Sequence, residues 1–314
     1  MNKLVSIVIS AYNERDNLPP LMSQLKEVLS YNSRFIFQVI IVDDGSSDNT
    51  VDDVKLLEDT LGRSIDFLKL SKNYGHEIAM KAGLDFSNGD AVVFLDADLQ
   101  HPPELINKML LEWESGKKLV LTRRAKNEDA TRLYNILSRL YYKSLHYFTD
   151  GALSGHNTPD FRLIDKKYVE RLKSYKEKTY FLRGMITLVS YNQDIAWLEF
   201  NAPKRLNGVS KYNFSNLFVL ALDSLISFST KPLRLILLVA VFISFLGVLF
   251  FIYILCHWLF IGGANYGFYT IVCLIIIFGS LNTLLTAIVG EYVSRIHNEV
   301  KHRPAYHIED RKDW

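Results

Sequence analysis

Charge is missing from this chain in two long stretches: no Asp, Glu, Lys or Arg occurs from Leu235 to Phe260, and none from Tyr266 to Gly290. A helix needs roughly 20 apolar residues to cross a bilayer, and each stretch exceeds that. Core helices of soluble proteins seldom run so far without a charge, so the sequence predicts two membrane spans, about 234–260 and 266–290. Cysteine is nearly absent too. Cys256 and Cys273 both fall inside the charge-free stretches, so neither a disulfide nor a cysteine metal site is inferred from them. An excess of one charge sign is also lacking, with 36 Lys and Arg against 34 Asp and Glu, so no nucleic-acid partner is expected. Neither G-x-G-x-x-G nor G-x-x-x-x-G-K-S/T occurs, which removes the main support for dinucleotide-binding and P-loop readings.

Lys231 and Arg234 precede the first stretch, Arg295, Lys301 and Arg303 follow the second, and the connector Gly262 to Asn265 carries no charge. By the positive-inside rule both ends lie on the cytoplasmic side of the membrane. No signal-peptide pattern opens the sequence, so the amino-terminal region is expected to stay there as well, and the protein to be a multi-pass protein of the cytoplasmic (inner) membrane.

Up to residue 125 the chain alternates short apolar β-rich runs with helical patterns. Val5 to Ser10, Phe37 to Val42, Ile65 to Leu70, Ala91 to Leu95 and Leu119 to Thr122 read as buried strands. Leu18 to Leu29, Asn49 to Thr60, Glu77 to Phe86 and Pro103 to Ser115 read as the helices between them. Repeated βαβ units imply an α/β fold with a mostly parallel sheet covered on both faces. Further on, 130–148 resembles an amphipathic helix, and 161–200 mixes short strands with a helix around Phe181 to Ser190. An apolar stripe from Phe214 to Phe228 suits either a helix on the membrane surface or a core-facing one. The domains read as a catalytic unit 1–212, an interfacial helix 213–232, two spans within 233–293 and a polar tail 294–314.

Ligands of open parallel sheets bind beyond the carboxyl ends of the strands, and here those ends are polar. Ser10 to Glu14, Asp43 to Ser47, Asp96 to Gln100 and Arg123-Arg124 follow four of the five strands. Asp96 and Asp98 point their carboxylates the same way if extended geometry persists, giving a hard-oxygen site suited to Mg2+ or Mn2+. Gln100 would continue that face. The alternative is a solvated turn. Asp43 to Ser46 likewise reads as a glycine turn or as a carboxylate that accepts hydrogen bonds from a base or ribose.

Six motifs carry a resemblance when taken in order: Val5–Glu14 (VSIVISAYNE), Val42–Ser46 (VDDGS), Asn73–His76 (NYGH), Asp96–Pro103 (DADLQHPP), Asp160–Leu163 (DFRL) and Arg205–Lys211 (RLNGVSK). The sequence resembles the GT-A family 2 glycosyltransferases. More closely, it is similar to the polyprenyl-phosphate group of dolichol-phosphate mannosyltransferases and bactoprenol glucosyltransferases. The likeness runs on through Phe228–Arg234 and the two charge-free stretches. It implies a Rossmann-like GT-A catalytic unit and a role for each matched position. Tyr12, Glu14, Val42 and Asp44 would hold the nucleotide, and Asp96, Ala97 and Asp98 would meet the nucleotide-sugar. Asp96, Asp98 and Gln100 would form the metal set. Arg123, Arg205 and Lys211 would lie near the donor diphosphate or acceptor phosphate, with Arg132 and Ser138 joining Arg205 at the latter. Asp98 and Asp160 would be the catalytic carboxylates, Asp160 standing where the family places a proposed base. Ser10 departs from the proline usual before the Y-N-E run, and Ser154 to Pro159 is less typical than the D-F-R-L residues after it.

The reaction this implies is inverting transfer of a hexose to undecaprenyl phosphate, with UDP-glucose as first choice. GDP-mannose or a modified sugar are the alternatives. A phosphate monoester has a second pKa of about 6 and is already anionic, so Asp160 is expected to orient a substrate more than to remove a proton. Processive polysaccharide synthases share the acidic motifs but carry Q-x-x-R-W and more spans, which this sequence lacks. A silent membrane anchor would not need every acidic motif. Self-association through the spans stays open.

Overall fold

The computed structural model describes residues 3–48, 50, 54–125, 158–175, 177, 180–201, 203, separate residues between 242 and 260, and 267–312. Five strands alternate with four helices in the first part: β1 (Leu4–Ala11), α1 (Leu18–Tyr31), β2 (Ile36–Asp43), α2 (Val54–Leu61), β3 (Asp66–Leu70), α3 (His76–Phe86), β4 (Ala91–Asp96), α4 (Leu105–Glu114) and β5 (Leu119–Arg124). After these come β6 (Arg162–Asp165), α5 (Lys166–Ser174), α6 (Leu182–Val189), β7 (Ile195–Phe200), α7 (Gly267–Val300) and β8 (Ile308–Lys312). The five expected strands appear within two residues of the boundaries read from sequence.

The sheet order is β7-β5-β6-β4-β1-β2-β3-β8. β1 pairs in parallel with β2 and β4, β2 with β3, and β5 with β7, while β6 runs antiparallel between β4 and β5. This has a direct consequence for the site. The carboxyl ends of β1, β2, β4 and β5 share one edge with the amino end of β6, so Asp160, just before β6, belongs to the edge that carries Asp96. Alternation along the strands divides the residues between two faces. Val5, Ile7, Ile9, Phe37, Val39, Ile41, Val93 and Leu95 join the core with the apolar stripes of α1, α2 and α4. Val8 and Val42 face α3 on the other side, where its Gly83 lies against them.

That approach leaves no room for a side chain. A Cβ on Gly83 would stand 2.2 Å from Val8 Cγ1 and 3.2 Å from Val42 Cγ2. Gly83→Ala is therefore expected to lower stability by roughly 1–3 kcal/mol through overpacking, despite alanine's better helix propensity. A thermal melt of the variant at or above the wild-type midpoint would contradict this packing.

The tail holds a difference from the sequence reading. Expected as a polar appendage, it adds β8 antiparallel to β3, with Ser71 N–H donating to His307 O at 3.0 Å. Lys312 Nζ reaches Glu58 at 3.1 Å, and the Tyr306 hydroxyl donates to Asp85 at 3.0 Å. The chain forms two compact units, Met1–Ala221 with Pro304–Trp314, and Leu222–Arg303. The stripe 213–232 and most of the first charge-free stretch lie outside the described residues. Among the described residues no helix is long and apolar enough to cross a membrane.

Candidate active site

The Asp96–Gln100 segment is a turn. β4 ends at Asp96, Ala97 is buried in the α1/α4 core, and Leu99 adopts a positive φ of 61°. Asp98 Oδ1 accepts the Gln100 N–H at 3.1 Å. Extended geometry therefore stops at Asp96, and the expected projection of Asp96, Asp98 and Gln100 along one strand face does not hold. A bend brings the segment together instead. Next in line, His101 is fully buried, its ring stacked on Phe161 at 5.1 Å and its Nδ1 accepting the Asp96 N–H at 3.4 Å. Burial lowers its pKa below the usual value and favours the neutral ring.

The loops after β1 and β2 are tied to each other. Ser46 Oγ accepts the Asn13 N–H at 2.9 Å, Asn13 Oδ1 accepts the Ser47 N–H at 2.9 Å, and Asp43 Oδ1 accepts the Ser46 N–H at 3.0 Å. Asp44 turns the other way. Its Oδ1 accepts the Tyr74 N–H at 2.7 Å and its Oδ2 accepts the Gly75 N–H at 2.9 Å, which fixes the loop that begins α3. Burial raises the Asp44 pKa, and these two backbone bonds oppose the rise. Gly45, at φ +68°, packs so closely on this loop that a Cβ would lie 2.3 Å from the Lys72 carbonyl carbon.

The loop clamped by Asp44 delivers His76 to the centre of the edge. His76 Nε2 lies 3.5 Å from Asp96 Oδ1 and 3.4 Å from Asp160 Oδ2, and its Nδ1 lies 3.1 Å from Ser10 Oγ. Burial works against the charged ring, but Asp96, Asp160 and Glu77 outweigh it and hold the pKa at about 10. Asp160 is buried at 5% exposure and held by two guanidinium groups. Arg162 donates to its Oδ1 at 2.6 Å, and Arg183 donates from Nε at 2.9 Å and from NH2 at 2.7 Å, one bond to each oxygen. Burial alone would raise the Asp160 pKa; Arg183 and Arg162 hold it well below the carboxylate range. Glu77, accepting the Leu182 N–H at 2.9 Å, is pushed upward by burial and by the neighbouring charge of Asp160.

The expected residues fare differently. Asp96 and Asp160 are brought together through His76. Tyr12 and Glu14 lie half-buried just past β1 on the same edge. Val42 is fully buried, with Gly83 of α3 against its side chain. Arg123 stacks on Trp197, 4.8 Å from the ring centroid, while Arg124 NH2 approaches Gln100 Oε1 at 3.4 Å. Arg132, Ser138, Arg205 and Lys211 lie outside the described residues. His76, Glu77, Arg162 and Arg183 were missed as site residues. The motifs NYGH and DFRL contain His76 and Arg162, but nothing local marks Arg183.

Among the described residues no three or more His, Cys, Asp or Glu side chains gather as a metal cluster. The chain offers two carboxylates on one turn. Hard oxygen donors of this kind fit Mg2+ or Mn2+, which complete their shells with water and phosphate oxygens.

Residues 6–173 match the model of glycosyl transferase family 2. An uncharacterised glycosyltransferase of Synechocystis is 35% identical over 98% of this chain and 95% of its own length. A bactoprenol glucosyl transferase of Shigella phage SfV is 31% identical over 98% of this chain and 99% of its own. In structure, glucosyl-3-phosphoglycerate synthase from Mycobacterium tuberculosis, solved with Mn2+, UDP and phosphoglyceric acid, has the same fold, with a TM-score of 0.51, 17% identity, and coverage of 72% of this chain and 78% of that one. With an α/β GT-A catalytic sheet and this family match, the chain is a glycosyltransferase and belongs to glycosyl transferase family 2.

Proposed function

We propose that the protein transfers a hexose, with inversion, from a nucleotide-sugar to the phosphate of a membrane-bound polyprenyl phosphate, undecaprenyl phosphate being the expected acceptor. UDP-glucose is the preferred donor, because relatives that match nearly end to end are named bactoprenol glucosyl transferases. The observation that carries the acceptor class is the state of Asp160. Both of its oxygens are engaged by Arg183, one also by Arg162, and its pKa is held well below the carboxylate range. Such a carboxylate is a poor proton acceptor. A hydroxyl acceptor would need a base, whereas a phosphate monoester with a second pKa of about 6 attacks as the anion it already is. Asp160 then positions, and Asp96 and Asp98 hold a divalent cation. Bound there, Mg2+ or Mn2+ would supply charge stabilisation for the departing nucleoside diphosphate. Asp44 and the zipped β1 and β2 loops shape the nucleotide side, with Tyr12 and Glu14.

Membrane anchoring is part of the same proposal. The charge-free stretches support it, as do the exposed apolar side chains Phe242, Phe245, Tyr253, Ile271, Ile275 and Ile277. Surfaces of that kind are rarely left to water. β7 and β8 lie in one sheet, which supports an even number of crossings between them. Two spans with the catalytic unit and both termini on the cytoplasmic side satisfy this. They would also keep the site beside its lipid at high effective concentration.

The test is incubation of alkali-washed membranes containing the full chain with radiolabelled UDP-glucose or GDP-mannose, undecaprenyl phosphate and Mn2+. Label is expected in a mild-acid-labile lipid. Label in polymer would overturn the lipid-phosphate reading, and loss of the protein in the alkaline wash would overturn the anchoring.

A further inference from the structure

Three elements meet at one side chain. His76 opens α3, and its imidazole touches Ser10 from the end of β1, Asp96 from the end of β4 and Asp160 from just before β6. In the β1–β4 register Ser10 pairs directly with Asp96, and its Oγ stands 3.5 Å from Asp96 Oδ1. Ser10 is buried, yet its hydroxyl spends its bonding on this ring and this carboxylate.

The bond directions are constrained. Nε2 faces two carboxylate oxygens, so it carries a proton in either charge state of the ring. Nδ1 faces the Ser10 hydroxyl. A neutral Nδ1 accepts from Ser10, and a protonated one donates to it, so the Ser10–His76 bond forms in both cases. Two contacts at opposite ends of the imidazole fix its plane. A fixed ring in turn limits the rotamers open to Asp96, whose other oxygen lies 3.6 Å from the buried His101. Alanine or proline at position 10 would supply no such hydroxyl.

We propose that Ser10 and His76 are a positioning pair, the hydroxyl fixing the imidazole and the imidazole setting the Asp96 carboxylate for the divalent cation. This rests on the proposed metal role of Asp96 and Asp98. Outer partners of this kind orient a ligand without touching the ion, and their loss typically costs about 10–100-fold in affinity or activity. Affinity by itself does not discriminate here, because removing a ring beside a metal site also changes the polarity around the ion. The coordination signature and the coupling between the two residues do.

The experiment uses the purified full chain in detergent, as wild type, Ser10→Ala, His76→Ala, His76→Gln and the Ser10→Ala/His76→Ala double variant. Two quantities are read: the paramagnetic resonance spectrum of bound Mn2+ in the absence of donor, and turnover at saturating Mn2+. Wild type is expected to give one well-defined bound-Mn2+ spectrum, and both single alanine variants to shift it in the same sense. Turnover is expected to fall about tenfold in Ser10→Ala and about a hundredfold in His76→Ala, with partial recovery in His76→Gln. The double variant should nearly match His76→Ala, because the Ser10 hydroxyl lies closer to the ring, at 3.1 Å, than to Asp96, at 3.5 Å, and acts mainly through the ring. Additive losses in the double variant, or an unchanged Mn2+ spectrum in both single variants, would overturn the positioning pair. Failure of the wild type to bind Mn2+ would overturn the metal reading, a different result.

Discussion

Asp98→Asn is expected to lose turnover about as completely as Asp98→Ala, on the order of a thousandfold, with the fold intact in both. The two substitutions separate two jobs that the residue could have. In the structure Asp98 Oδ1 accepts the Gln100 N–H at 3.1 Å, and the next residue, Leu99, sits at a positive φ. An asparagine side-chain oxygen accepts the same bond, so Asp98→Asn preserves the turn and removes only the negative charge. Alanine removes both. If the carboxylate serves a divalent cation, charge is what matters, and several kcal/mol of transition-state stabilisation disappear in either variant. UDP binding should then no longer respond to added Mn2+ in calorimetry. Near-wild-type turnover in Asp98→Asn would reduce Asp98 to a turn former and remove it from the metal site.

The same turn marks where the sequence stopped being informative. Buried strands were legible because each is a short apolar run between turn residues, and the polar residues after them do share one edge of the sheet. Projection from Asp96 to Asp98 relied on a period of two, which is valid only while the strand lasts, and β4 ends at Asp96. Arg123 and Arg124 had to point to opposite faces, but alternation cannot say which one approaches Gln100. Val42 reads as an edge residue in the VDDGS motif, yet its side chain lies beneath Gly83 because that glycine lets α3 approach closely. β8 is a different failure. Its sequence, Ile308 to Lys312, is mostly charged, and only pairing with β3 makes it a strand. Charged residues are what an exposed sheet edge tolerates, so the composition that hid the strand suits its place.

The acidic cluster was half legible for a related reason, and it carries the other large expected effect. Asp160 stood out by motif, whereas Arg183 is 23 positions away and enters only through α6. Arg162 is fully buried, so its charge depends on Asp160 for compensation. Removing one partner of a buried pair strands the other, at a cost of about 3–5 kcal/mol. Asp160→Ala should therefore lower the apparent melting midpoint by on the order of 10 °C. Asp160→Asn should lower it by a similar amount, since the amide keeps the shape but not the charge. The pH dependence has a definite sign. A carboxylate whose folded pKa is depressed stabilises the fold above its unfolded value of 3.8 and loses that contribution as pH falls through the lower folded value. The midpoint difference between wild type and Asp160→Asn should thus stay constant above about pH 5 and narrow below about pH 4. Turnover separates positioning from base catalysis. At a temperature where Asp160→Asn is folded, it should retain a measurable fraction of activity with a flat pH profile above neutrality, because a phosphate nucleophile brings its own charge. Complete loss of turnover in a folded variant that still binds donor and acceptor would restore Asp160 as the base and weaken the case for a phosphate acceptor with it.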